Sequence, residues 1–234
     1  MKVSFFIEQL KPLGNLERAL AYKSYHKSNR KHFGITAPLR EKLTRNLSQG
    51  INSIELIQLA KGLWESDLFD PMMCAAKILS LPQVIPSQLL WETIVEFLKR
   101  LDRWALEDSL SHAAWKCLLK DMELLDEIEK WTKEPNFWMK RAALVYTLPL
   151  AKPKRDPERV LSWASEYSSD PEWFIQKAIG WWLRVLGEHN PERVILFLET
   201  HWLNLKGVAR KEATRKLNSE SLYTISHLLY RSAK

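Results

Sequence analysis

Glycine is scarce in this chain: seven are present among 234 residues, where average usage near ~7% would give roughly 16. That scarcity disfavours a turn-rich β architecture. Cysteine is nearly absent, and Cys74 and Cys117 form neither a CxxC pair nor a Cys/His spacing suited to zinc. A protein with reduced thiols in the cytosol is expected, without metal or cofactor. No apolar run reaches the ~18 residues of a membrane span. The N-terminal stretch MKVSFFIEQLKP is interrupted by Glu8 and Lys11, too early for a signal-peptide core. A membrane is therefore not an expected partner.

What is plentiful is apolar and basic. Hydrophobic residues make up 46% of the chain, enough to bury a substantial core. Eleven tryptophans are present; such rings fill cores, but they also form platforms for sugars, bases and cations. The net charge is +7, with a pI near 9.3, and it is segregated. Glu17–Arg45 holds eight Lys/Arg against two Glu, and His201–Lys234 holds seven against two, while the remainder is net negative. Clustered positive charge points to a polyanion, most simply nucleic acid, although a basic face kept for solubility would look the same.

Helical periodicity runs through almost every segment. Ser53–Trp64 places Ile54, Leu56, Ile57, Leu59 and Leu63 mainly on one side, and Gln88–Leu101 does the same with Leu89, Trp91, Ile94, Val95 and Leu98. Ser87 after Pro86, and the pairs Asp70-Pro71, Asp156-Pro157, Asp170-Pro171 and Asn190-Pro191, read as helix starts. Gly187 and Gly207 read as terminators or turn residues.

A short motif also recurs: CAAK at Cys74, HAAW at His112, RAAL at Arg141, KAIG at Lys177 and EATR at Glu212. Its first alanines, Ala75, Ala113, Ala142, Ala178 and Ala213, are spaced by 38, 29, 36 and 35 residues. A helix pair with its turns takes about that length, at or slightly below the ~40–47 residues of HEAT and armadillo repeats. The expected architecture is all-α: one domain over residues 1–234, a curved α-solenoid of HEAT-like repeats with a basic concave face.

Three segments lie at or just before repeat alanines and are expected near helix centres. They are Arg103–Asp108, in which Trp104 and Asp108 share a helix face at i,i+4; Phe137–Ala143; and Trp173–Arg184. Each residue also has a structural reading. A helical Trp is most often core, Asp108 could serve His112 one turn on, and Arg141 could be a surface cation. Taken singly, none supports a catalytic role.

The stretch WFIQKAIGWWLR (Trp173–Arg184) resembles the hallmark segment of the AlkD-like DNA alkylation repair glycosylases, a HEAT-like repeat family. The similarity extends to NFWMKRAAL (Asn136–Leu144), to the Trp-x-x-x-Asp-Ser unit at Trp104–Ser109, to ARKEA (Ala209–Ala213), and to Tyr25 with HFGI (His32–Ile35) and Pro38. The matches stay in order and span most of the chain.

The resemblance implies a catalytic group of Trp104, Asp108, Arg141 and Trp181. It also implies DNA contacts by Tyr25, Lys27, Arg40, Trp138, Lys140, Lys177, Arg184, Arg210 and Lys211. The implied partner is double-stranded DNA containing purines alkylated at N3 or N7, excised without flipping the base, by a monomer in the bacterial cytosol or nucleoid acting in base excision repair.

The residue types suit that chemistry. Alkylation at N3 or N7 makes the purine cationic and already a good leaving group. What needs stabilising is then an oxocarbenium-like sugar, a task one carboxylate can perform. The segment TAPLREK (Thr36–Lys42) departs from the family pattern at Ala37 and Glu41, and Val-Leu-Gly-Glu follows Arg184 where another Lys would be expected. A non-catalytic binder of damaged or branched DNA is the alternative. A protein–protein scaffold would leave the segregated charge and the Trp/Asp/Arg set without a role.

Overall fold

The computed structural model describes residues 1–219, 221–223 and 225. All regular structure among them is helical, as the periodicity requires. The chain forms two compact units, residues 1–122 and residues 123–234, and each is built from helix pairs.

In the first unit, α1 (Val3–Leu10) and α2 (Leu16–His26) precede α3 (Ala37–Leu47), α4 (Ser53–Glu65), α5 (Phe69–Ser80), α6 (Gln88–Lys99) and α7 (Trp104–Lys120). Helices α3, α5 and α7 pack side by side as one layer. Behind them α4 packs on α5 and α6, and α6 packs on α7. The outer layer is stitched by Trp64 and Phe97, whose rings stack 4.2 Å apart.

Local chemistry sets most boundaries. Asn15, Asn52 and Ser87 accept the N–H groups of Arg18, Glu55 and Leu90 and so cap α2, α4 and α6. The loop after α2 is held by Gly34, whose φ of 77° lies in the left-handed region. A Cβ there would sit 2.2 Å from the Asn15 carbonyl oxygen, so only glycine fits.

The second unit contains α8 (Leu124–Trp131), α9 (Phe137–Val145), α10 (Glu158–Glu166), α11 (Trp173–Gly187), α12 (Pro191–His201) and α13 (Gly207–Ala213). Again alternate helices form one layer, α9 against α11 and α11 against α13. The others lie behind, α10 against α9 and α12, and α12 against α11. The repeat alanines explain the design. Ala75, Ala113, Ala142, Ala178 and Ala213 are all buried, and they fall on α5, α7, α9, α11 and α13, one on each.

Gly180 takes this furthest. A Cβ there would lie 2.7–3.0 Å from Glu212 Cβ and from the Ala209 backbone, so its absence lets α11 and α13 touch backbone to backbone. Gln176, fully buried, ties the same junction. Its amide donates to the carbonyls of Tyr167, Ser168 and Asp170, and its oxygen accepts the Lys206 N–H. A buried amide with so many partners is satisfied rather than costly.

Several boundary expectations are corrected. Asp70 does not cap a helix: α5 begins at Phe69, and the Asp70 carboxylate is 1% exposed and committed to other partners. Asp170 turns the chain by accepting the Glu172 N–H, and α11 starts only at Trp173, capped by Glu172. Gly207 opens α13 rather than closing a helix. The three signature segments begin their helices instead of lying at helix centres: Trp104, Phe137 and Trp173 are first residues of α7, α9 and α11. Asn190 and Pro191 start α12 as expected, and Gly187 closes α11.

Gly180→Ala should destabilise the protein by about 1–3 kcal/mol, because backbone would have to move to admit the methyl group. Gly207→Ala meets nothing within 4 Å and should be neutral or stabilising by up to about 1 kcal/mol. Urea unfolding of the two variants side by side checks the contrast.

Candidate active site and nucleic-acid interface

In the first unit Trp104 opens α7 with its indole half-buried, and Asp108, also half-buried, follows one turn later on the same face. The indole is walled by α2: the Tyr25 ring meets it edge-on at 5.5 Å and the His26 ring is tilted at 5.8 Å. Tyr25 itself is 67% exposed, so this wall faces solvent.

Behind it lies a stack absent from the expected site. His26 and His32 each stack on Phe69, at 4.5 and 3.9 Å between centroids. Their imidazoles approach through Nδ1 of His26 and Nε2 of His32, 3.3 Å apart. Burial, then the His32 charge and the Arg40 charge, push His26 down to about 4, against a smaller upward pull from Asp70. His26 is therefore neutral at physiological pH.

The chain entering α7 is fixed from the same direction. Arg30 bonds Asp67 at 2.7 Å and also pairs with Asp102, two residues before Trp104. Further along α7, His112 feels the charges of Lys77, Glu41 and Asp108.

In the second unit Arg141 lies on α9 and is 3% exposed. The adjacent tryptophans of α11 divide their labour. Trp182 is wholly buried, while Trp181 is half-exposed. Trp138 is core: its ring packs on Phe137 at 4.5 Å and on Phe174 at 5.2 Å.

The expected phosphate contacts separate into accessible and engaged cations. Lys27 is exposed at the left-handed end of α2, Lys211 is exposed on α13, and Lys140 is half-buried on α9. Arg210 lies over the Trp202 ring at 5.3 Å. Arg40, in contrast, pairs with buried Asp70 at 3.1 Å, and the same carboxylate accepts the Phe33 N–H at 2.7 Å. Lys177 and Arg184 both pair with Glu212, Lys177 at 2.8 Å. Burial opposes ionisation of Glu212, but the Lys177 hydrogen bond and the charges of Arg184, Lys177 and Arg215 outweigh it and hold the carboxyl below its ordinary range. Of the C-terminal basic segment, Arg231 and Lys234 lie outside the described residues.

Burial also pushes the Cys74 and Cys117 thiols up, to about 12 and about 11, so neither is a nucleophile at neutral pH. No helix among the described residues is long and apolar enough to cross a membrane.

His26, Phe69 and Arg30 were not foreseen as part of the site, and His32 and Glu212 stood only within the HFGI, ARKEA and EATR segments, without a role. No periodic signal marks them, because the residues they touch lie up to 78 positions away in the chain (His26 to Trp104).

Layered helix pairs with small residues at the contacts define a helical-repeat protein of the AlkD type. Comparison identifies which: the sequence model of the DNA alkylation repair enzyme family matches residues 6–217, and the chain belongs to that family. Among solved structures, one described as a predicted DNA alkylation repair enzyme from Enterococcus faecalis superposes with a TM-score of 0.75 at 24% identity. That match covers 88% of this chain and 97% of the other. AlkD2 from Streptococcus mutans gives a TM-score of 0.61 at 17% identity, over 88% and 100% of the two chains. No curated protein matches the sequence.

Arg40→Ala should behave as a stability mutation. Leaving Asp70 buried without its cation should cost on the order of 3–5 kcal/mol, read as a loss in thermal unfolding out of proportion to any loss of DNA affinity. For Glu212 the sign follows from its lowered folded value: ionised Glu212 favours the fold at neutral pH, and this contribution disappears as pH falls through that value. Between about pH 7 and pH 3, Glu212→Gln should therefore show a shallower fall in unfolding midpoint than wild type.

Proposed function

We propose that this member of the family is a monofunctional DNA glycosylase that hydrolyses the N-glycosidic bond of purines alkylated at N3 or N7 in duplex DNA. The observation that carries the reading is the pairing of a half-buried carboxylate with an indole on one face of α7: Asp108 one turn after Trp104.

A cationic alkylpurine departs with little protonation. The remaining barrier is the positive charge developing on the deoxyribose. The Asp108 carboxylate stabilises that charge, and it orients the attacking water, accepting a proton as the new C1′–O bond forms. Trp104, with Tyr25 beside it, offers a flat apolar face to the sugar. A ring face toward the cation adds on the order of 0.5–2 kcal/mol.

Arg141 and Trp181 are assigned a phosphate and a sugar contact on their match to the family pattern; Arg141, 3% exposed, would have to turn outward to reach the phosphate. Trp181's half-exposed ring supports its part. Phosphate contacts by the accessible cations Lys27, Lys140 and Lys211, together with Arg210, supply sequence-independent affinity. Lys177 and Arg184 would have to share their charge with Glu212. Tyr25 completes the proposed DNA-facing set, while Trp138 and Arg40 contribute only by holding their helices in place. In this reading the protein works without cofactor, as a monomer in the bacterial cytosol, and opens base excision repair without flipping the damaged base.

Purified protein should release N7-methylguanine or N3-methyladenine from methylated duplex DNA. Asp108→Asn should slow release by at least about 100-fold while leaving the fold and most DNA affinity in place. Trp104→Ala and Trp181→Ala should be slower, and Arg141→Ala should also lose affinity. Unchanged turnover in Asp108→Asn would sink the carboxylate's role. Salt-sensitive binding without any base release would instead favour a non-catalytic binder of damaged DNA.

A further inference from the structure

The rings around Trp104 form a hydrogen-bonded series with a defined direction. His32 Nδ1 lies 3.0 Å from the Arg30 carbonyl oxygen. A carbonyl can only accept, so His32 carries its proton on Nδ1. Neutral His32 then presents an acceptor at Nε2, and His26 donates to it from Nδ1 across 3.3 Å. That leaves the lone pair of His26 on Nε2, the nitrogen not used in the pair.

The orientation of His26 is thus doubly set. Its edge is held by the bond to His32, and one face is stacked on Phe69 with an interplanar angle of 20°. What remains of the ring is turned toward Tyr25, 5.3 Å away, and Trp104. The backbone before Trp104 is tethered from the same loop through Arg30 and Asp102. A tryptophan at the first position of a helix has no preceding turn to pack against, so its rotamer must be selected from outside the helix.

We propose that His26 is a positioning residue for Trp104: held by His32 and Phe69, its imidazole fixes the plane of the Trp104 indole. The consequence for catalysis rests on the glycosylase reading above, but the positioning itself does not. The charged and titratable groups bearing on His26 are His32 in the loop after α2, Arg40 on α3 and Asp70 on α5, with Tyr22 and Tyr25 on its own helix. Acidification converts the neutral wall into a cationic one. A cation at that position also repels an alkylated purine that already carries positive charge, so the neutral imidazole suits such a substrate.

The test uses the full chain labelled with 5-fluorotryptophan, its Trp104 line assigned by loss in Trp104→Phe. In wild type the Trp104 line should move with pH, with a midpoint near 4. In His26→Phe, which keeps a ring on Phe69 but carries no proton, the line should be displaced at neutral pH and should keep only the pH response that comes from His32 and Asp108. His26→Asn retains a donor toward His32 but loses the ring, and it should displace the line as well. A Trp104 line that stays in place in both variants, while both remain folded by circular dichroism, overturns the inference.

A second arm measures base release from methylated duplex DNA. His26→Phe should lower kcat on the order of 10- to 100-fold, with no further loss when added to Trp104→Ala. Additive losses in that double variant would also overturn the positioning role. If wild type releases no base, the glycosylase reading fails, and the fluorine measurement still decides the inference.

Discussion

Close approach of neighbouring helices within one layer is the constraint on which the rest of this structure depends. A helix pair can bury its apolar stripe only against the next pair, and that contact is tight where side chains are small. Buried alanines on α5 and α7 in the first unit, and on α9, α11 and α13 in the second, supply it, and Gly180 lets α11 and α13 approach backbone to backbone. Residues placed around each alanine consequently have little freedom. Glu212 sits against Gly180 and must satisfy its carboxylate from α11, which it does through Lys177 and Arg184.

That requirement changes the meaning of the basic charge. A count of lysines and arginines treats every cation as available to a polyanion. The structure divides them. Arg40 offsets buried Asp70, Arg30 bridges Asp67 and Asp102, and Lys177 and Arg184 share Glu212. Each pairing trades long-range attraction for local order; at Asp70 and Glu212 the reason is burial, since a buried carboxylate is tolerated only beside a cation. Lys27 and Lys211 remain exposed and hold more of the capacity to meet phosphate.

The candidate site shows the same division between framework and contact. Trp104 and Asp108 are neighbours because a helix makes residues four apart neighbours, and this was legible from their spacing. The rings that wall Trp104 are neighbours only because the loop after α2 folds back onto α5. Gly34 permits that turn, and the Asp70 carboxylate secures it through the Phe33 N–H. The Trp181/Trp182 pair was legible as important, yet only packing shows that Trp182 is core and Trp181 is accessible.

Helical periodicity, the five alanine motifs and the segregated charge were determined by the sequence alone, because a helix converts spacing directly into a face and a repeat converts it into a stack. The helix starts at Ser87 and Asn190 belong with them, since a cap acts within its own turn. The same local logic failed at Asp70, where a distant arginine and a distant N–H compete successfully for the carboxylate. Tertiary structure alone decided which cations are spent on buried acids, which tryptophans face solvent, and that two histidines stand behind Trp104. These depend on contacts between residues tens of positions apart, and distance along a chain carries no record of them.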